Sequence, residues 1–202
     1  MKIGIFGGSF DPPHRGHLRI AREFVSIASL DKVFIIPALI PPHKKGSRFF
    51  SPGERMRMCE LTFSDPVFEI SDIEIRREGK KSYTVDTLTA LRESYPDDDF
   101  YLCIGSDMLM TFHTWYRYKA ILSMCSIIAF MRDEEYDYDD MSDYADKYLA
   151  AYRDKIIISP MRPDELSSTD IREMIKNGED IKDVVTPEVK YFIDSRGTER
   201  NK

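Results

Sequence analysis

The sequence has no apolar run near the roughly 18 residues that a membrane-spanning helix requires, so it carries no expectation of a helical span or a membrane partner. Cysteine is scarce and odd in number: Cys59, Cys103 and Cys125, irregularly spaced, do not form a disulfide framework. Cys103 and Cys125 lie in the apolar runs "FYLCI" and "MCSIIAF", which read as buried free thiols. The first residues, "MKIGIFGG", lack the layout of a secretory signal, because a short apolar stretch runs straight into glycines. Free thiols without a signal set the expectation of a cytoplasmic protein. The chain also lacks both common phosphate-loop patterns, having neither G-x-G-x-x-G nor G-K-[ST] after its first strand. Generic dinucleotide-binding and P-loop assignments are therefore excluded.

Positive charge is in short supply overall, with a net charge of −6, but the deficit is local. Residues 133–146, "DEEYDYDDMSDYAD", hold eight acids and no Lys or Arg. The rest of the chain is mildly basic, which suits a small anionic substrate and falls far short of a nucleic-acid footprint. The acidic stretch itself reads as a solvated helix face or loop; it lacks the glycine and closing glutamate of a calcium loop. Nothing in the sequence sets an oligomeric state.

What is present is an alternation. Apolar β-type runs stand at 2–6, 32–38, 68–75, 100–104, 126–131 and 155–160, several of them apolar throughout, as parallel strands covered on both faces are. Between them the spacing predicts helices near 16–28, 52–63, 84–94, 107–122 and 140–152. This order predicts an α/β protein with a Rossmann-like, doubly wound parallel sheet. "SPGE" at 51–54 forms a capping box with Pro52 at the first helical position. "SSTDIREMIKNG" starts a helix at Ser167 or Ser168 and ends it at Asn177-Gly178, and "TPEVKYFIDSRG" repeats the plan from Thr186 to Gly197. These two helices follow each other without a strand. They predict one domain over 1–202, with a sheet core to about 165 and a helical appendage over about 166–202.

The chemistry concentrates in "GGSFDPPHRGH", residues 7–17, where strand gives way to helix. Glycines there let the backbone approach a ligand and turn sharply. The helix beginning near Gly16 offers free N–H groups and its positive dipole end to an anion. His14 and His17 reach into the same space. Taken alone, two histidines three residues apart also fit half a metal site or a helix cap, although no third metal ligand lies nearby in the sequence.

The full string resembles the G-G-[ST]-F-D-P-x-H-x-G-H signature of nucleotidyltransferases of the α/β-phosphodiesterase superfamily. Within it the chain is most similar to the bacterial nicotinate-nucleotide adenylyltransferase family, through "PPHK" (41–44), "SYTVDTL" (82–88), "GSDMLMTFHTWY" (105–116) and "LSSTDIR" (166–172). The resemblance implies a Rossmann-like fold with a helical C-terminal part. It also implies transfer of the adenylyl group of ATP to nicotinate mononucleotide in NAD biosynthesis, with Mg²⁺ carried on the ATP phosphates.

Roles follow residue by residue from that resemblance. His14, His17, Lys44 and Arg172 would be catalytic. Gly7, Gly8, Ser9, Phe10, His14, His17, Gly105, Asp107, Ser168, Thr169 and Arg172 would bind ATP, with Asp107 on the ribose. His43 would stand beside Lys44 on a loop facing the phosphates. Thr84, Trp115 and Tyr116 would read the nicotinate. Ordinary readings stand beside these: Asp107 as a simple N-cap, "SSTDIR" as helix capping, and Trp115 as packing. No role attaches to His113. Sister families fit less well. Phosphopantetheine adenylyltransferases typically carry Thr at the position of His14, and cytidylyltransferases lack the segments around 82–88 and 111–116. A non-catalytic nucleotide sensor on the same fold would not require His14, His17, Lys44 and Arg172 together.

Overall fold

The computed structural model describes residues 1–39, 49–77, 83–131, 136–161 and 167–199. Six strands form one sheet: β1 (Lys2–Gly8), β2 (Lys32–Pro37), β3 (Phe68–Ile70), β4 (Asp99–Gly105), β5 (Cys125–Phe130) and β6 (Ile156–Ser159). Their order is β3-β2-β1-β4-β5-β6 and every pairing is parallel. The chain moves outward one way from β1 to β3, then returns to place β4 on the other side of β1. That reversal opens a crevice beyond the carboxyl ends of β1 and β4, where open α/β sheets take their ligands. Gly8 and Gly105 are the last residues of those two strands.

Eight α-helices accompany the sheet in the described residues: α1 (Arg15–Ala28), α2 (Pro52–Thr62), α3 (Thr84–Ser94), α4 (Ser106–Leu109), α5 (Tyr118–Met124), α6 (Tyr138–Tyr148), α7 (Ser168–Asn177) and α8 (Pro187–Glu199). Side chains alternate across each strand, so the sheet has two cores. Ile3, Ile5, Leu102 and Ile127 face α3, α5 and α6. Phe6, Ile35, Cys103 and Ile128 face α1 and α2. Gly4 is forced by this second layer, because a Cβ there would lie 2.6 Å from Phe24 and 2.7 Å from Leu30. A third cluster joins Phe50 and Met58 at α2 to Ile171, Val189 and Ile193 of α7 and α8. The helical appendage is thereby bolted to the start of α2.

The strand expectations hold in place and kind, with one shortening. The run at 68–75 is a strand only to Ile70, since the chain then turns so that Arg76 N donates to Asp72 O. The helix expected over 107–122 is broken into α4, a 3₁₀ turn over Phe112–Thr114, and α5. Arg117 sits at the break with φ +55°, a left-handed conformation that ends any continuous helix. The helix expected over 140–152 ends at Tyr148 and continues as a kinked 3₁₀ stretch over Ala150–Lys155. α8 runs past Gly197 to Glu199. The capping box at Ser51–Glu54 is present, and Ser167, not Ser168, caps α7.

Candidate active site

The loop leaving β1 is held by its carbonyls. Arg55 of α2 is fully buried, and its Nη1 donates to the Ser9 carbonyl at 2.8 Å. Arg172 of α7 donates from Nη1 to the Asp11 carbonyl at 2.8 Å, and Ser168 Oγ donates to the Pro12 carbonyl at 2.9 Å. The buried Asp11 carboxylate accepts from the backbone N–H groups of Phe49 and Phe50 at 3.1 and 2.9 Å. Two helices, α2 and α7, thus hold the carbonyls of Ser9, Asp11 and Pro12, and the segment before α2 holds the Asp11 carboxylate. A trans peptide points its N–H opposite its C=O, so the Arg55 clamp on Ser9 aims the Phe10 N–H away from the interior. Phe10 itself takes φ +45°, with its ring buried between Phe6, Phe63 and His17. An aromatic in the left-handed region costs energy and persists here because packing over-determines it.

Beyond this loop, α1 starts at Arg15, one residue earlier than expected, with His14 as its N-cap. The rings of His14 and His17 lie 3.8 Å apart between centroids, tilted 41° to one another. The His14 backbone N–H donates to His17 Nδ1 at 3.3 Å. An accepting Nδ1 places the ring proton on Nε2, which makes the far edge of His17 a hydrogen-bond donor. Gly16 makes room for the pair, since a Cβ there would lie 3.0 Å from His14 Nδ1. The two glycines of the motif differ. A Cβ on Gly8 would strike the Phe10 ring at 2.8 Å, whereas Gly7 has nothing within 4 Å and faces open space. Arg15 secures the helix start by donating to the carbonyls of Val184 and Val185, in the link between α7 and α8.

α7 therefore opens beside α1. Ser167 Oγ accepts from the N–H groups of Thr169 and Asp170, and the Asp170 carboxylate returns bonds to Ser167. Those bonds hold the Asp170 carboxyl below the usual carboxylate range. Arg172 Nη2 donates to Thr169 Oγ1 at 3.0 Å, so Arg172 bridges its own helix start to the first loop. Of the "SSTDIR" residues, Ser168 and Arg172 are at work within the fold as well as beside the loop.

On the other strand of the crevice, Gly105 occupies the N-cap position of α4 and Asp107 lies in its first turn, which removes the N-cap reading of Asp107. Its Oδ1 is shut off from solvent. The 3₁₀ turn that follows brings Trp115 against Phe112 at 4.9 Å and leaves Tyr116 exposed. Tyr116 meets Tyr83, the N-cap of α3, at 5.0 Å, so the start of α3 at Thr84 and the Trp115–Tyr116 segment form one neighbourhood. Lys44 and His43 lie outside the described residues, as does the whole of "PPHK".

None of the thiols offers a nucleophile. All three are buried and free, and burial pushes the Cys59 and Cys103 thiols up and that of Cys125 to about 12. The residue that sequence reasoning missed is Arg55. A signal was available: Arg55, Met58, Cys59 and Thr62 follow the i, i+3, i+4, i+7 stripe that α2 buries, so the arginine stands on the apolar face.

Comparisons with known proteins bear on the family and the fold. The model of the cytidylyltransferase-like family matches residues 5–174. A Fusobacterium nucleatum protein named "Probable nicotinate-nucleotide adenylyltransferase" is 38% identical over 196 residues, covering 96% of this chain and 97% of its own. The nicotinate-nucleotide adenylyltransferase of Bacillus subtilis is 34% identical over 197 residues, covering 97% of each. Among solved structures, the Plasmodium falciparum nicotinic acid mononucleotide adenylyltransferase complexed with NaAD shares the fold, with a TM-score of 0.74 at 18% identity over 96% of this chain and 95% of that one. By its sequence and its fold, the chain belongs to the cytidylyltransferase-like family, among the nicotinate-nucleotide adenylyltransferases.

Proposed function

We propose that the enzyme joins ATP and nicotinate mononucleotide, giving nicotinate adenine dinucleotide and pyrophosphate. One observation carries the reading: two helix starts, α1 and α7, converge on a loop whose Ser9, Asp11 and Pro12 carbonyls are bonded by side chains of α2 and α7. Such a surface presents the Phe10 N–H and two helix dipole ends to a polyanion, while Pro12 and Pro13 add no donor of their own. The attacking group is the phosphate of the mononucleotide, already mostly dianionic near neutral pH with a second pKa of about 6. It requires no general base. The reaction does require two mutually repelling anions to be held in line, with the charge on the α-phosphate and departing pyrophosphate offset.

In this reading His17 Nε2–H, the Phe10 N–H and the α1 terminus face the ATP phosphates, with His14 beside them. Lys44 adds a point charge, and Arg172 acts from the start of α7. Mg²⁺ arrives on ATP as part of the substrate. Asp107 accepts from the ribose of ATP. Thr84, Trp115 and Tyr116 hold the nicotinate, the tryptophan by stacking on the pyridine ring. A carboxylate suits fixed N–H donors there, whereas a carboxamide turns an NH₂ toward them and leaves polar groups unpaired, at about 1–3 kcal/mol each. A cytoplasmic setting belongs to the same reading, and among the described residues no helix is long and apolar enough to cross a membrane.

The test is pyrophosphate release from ATP with a panel of acceptors: nicotinate mononucleotide, nicotinamide mononucleotide and phosphopantetheine. The expected result is at least a tenfold higher kcat/KM for nicotinate than for nicotinamide mononucleotide, with no turnover of phosphopantetheine. Equal efficiency with the two mononucleotides would overturn the carboxylate reading.

A further inference from the structure

The acidic helix α6 and His113 both stand outside the site as described, yet they are joined to each other. His113 is the middle residue of the 3₁₀ turn Phe112–Thr114, and Trp115 and Tyr116 follow it directly. Its backbone N–H donates to the Tyr144 hydroxyl oxygen at 3.1 Å, and its Nδ1 lies 2.6 Å from that same oxygen. Tyr144 Oη accepts the backbone N–H, and its bond with Nδ1 runs in the direction that the imidazole tautomer sets. The other face of the imidazole stacks on Tyr148 at 4.6 Å with the planes 14° apart. Tyr144 and Tyr148 are one helical turn apart, so α6 grips this single histidine by a hydroxyl and a ring.

The helix that grips is itself firmly seated. Met141, Ala145 and Leu149 are buried against the sheet. Arg153 donates to Asp146 at 2.7 Å, to Ser142 Oγ at 3.3 Å and to the Ile156 carbonyl of β6 at 3.0 Å. The acidic side chains Asp139, Asp140, Asp143 and Asp146 lie on the opposite, exposed face. The turn is also held by the buried Phe112 ring and by hydrogen bonds of Thr111 and Thr114 over three or four residues, before Arg117 enters the left-handed region.

We infer that Tyr144 and His113 are positioning residues for recognition of the nicotinate ring. They fix the turn from which Trp115 and Tyr116 reach it, and they use α6 as an anchor in the sheet. The inference rests on the assignment of Trp115 and Tyr116 to the mononucleotide. It explains why a chain would keep so acidic a segment helical beside the site: one face is solvated by carboxylates, and the other supports a binding turn.

Tyr144→Phe keeps the ring and removes both hydrogen bonds. It should raise KM for nicotinate mononucleotide about fivefold or more while leaving KM for ATP within about twofold. His113→Phe keeps the stack on Tyr148 and loses Nδ1; it should act in the same direction, and the double variant should be no worse than the more affected single one. Trp115 is the chain's only tryptophan, so its fluorescence reports on the turn directly. Acrylamide should quench it more strongly in Tyr144→Phe than in the parent enzyme. Trp115→Ala separates the two claims. If Trp115→Ala weakens the mononucleotide and Tyr144→Phe and His113→Phe do not, the positioning role is wrong and the substrate assignment stands. If Trp115→Ala leaves the mononucleotide unaffected, the assignment fails and the inference with it. Equal weakening of both substrates by Tyr144→Phe would mark Tyr144 as a general structural residue and overturn the proposal.

Discussion

Gly7 and Gly8 are adjacent in the motif, yet the structure gives them opposite reasons to be glycine, and alanine at each should separate the two. At Gly8 the added Cβ would lie 2.8, 3.0 and 3.1 Å from three atoms of the Phe10 ring. That ring is fully buried and cannot retreat freely. It meets Phe6 edge-on at 5.5 Å, Phe63 at 5.7 Å and His17 at 5.1 Å. Overpacking of this kind costs about 1–3 kcal/mol, and for a chain of this size each kcal/mol lowers the melting temperature by about 2–4 °C. Gly8→Ala should therefore melt about 2–12 °C lower, and the displaced ring should push His17 and slow turnover. At Gly7 the added Cβ meets nothing within 4 Å, and the residue pairs normally in β1. Alanine there should stabilise the fold by about 0.4–1 kcal/mol, through lost freedom of the unfolded chain. If the open space belongs to the ATP phosphates, the same methyl should raise KM for ATP about tenfold or more, by denying the close backbone approach that phosphate loops rely on. Thermal melts and steady-state kinetics on the two variants read both signs. A Gly7→Ala protein that melts lower but turns over normally, or a Gly8→Ala protein that melts like the parent, would refute the reasoning.

His17→Ala should lower kcat about 10²-fold or more while the fold is retained, because a donor aimed at developing phosphate charge acts mainly in the transition state; near-native turnover would remove His17 from the reaction. Asp107→Ala should raise KM for ATP more than KM for the mononucleotide, and equal effects on both would return Asp107 to a structural role. Arg55→Met should raise KM for ATP about tenfold with less effect on the mononucleotide, since the released Ser9 carbonyl no longer holds the Phe10 N–H in place; an unchanged KM for ATP would show that the clamp does not matter to binding.

Local chemistry is what made much of this molecule legible from its residues. Several strands announce themselves because parallel strands covered on both faces are apolar throughout, and residues 33–38 or 100–104 have no polar alternation to obscure them. The starts of α2 and α7 are equally plain, since a capping box is completed within four residues. The histidines fall in the same class: the bond that orients His17 comes from a residue three positions away. What failed was reading across the chain. The helix expected over 107–122 has suitable apolar spacing, but a tyrosine 31 residues downstream pulls His113 into a 3₁₀ turn, and tertiary contact overrides propensity.

The same division runs through the site itself. The groups that would touch the phosphates were visible as motifs, Ser168 and Arg172 among them, while Arg55 and the bonds that aim the loop were not. Arg55 reaches Ser9 across 46 residues, Ser168 reaches Pro12 across 156, and Arg172 reaches Asp11 across 161. Sequence spacing carries no trace of such pairs; only the fold, by laying α2 and α7 against the loop after β1, brings them within hydrogen-bonding distance. In the proposed reading, motif residues supply the chemistry, and distant donors on backbone carbonyls fix the two glycines and the left-handed phenylalanine in the geometry an anion would meet. A transplant of "GGSFDPPHRGH" into another strand–helix junction should therefore bind ATP poorly unless a buried arginine and a second helix start come with it.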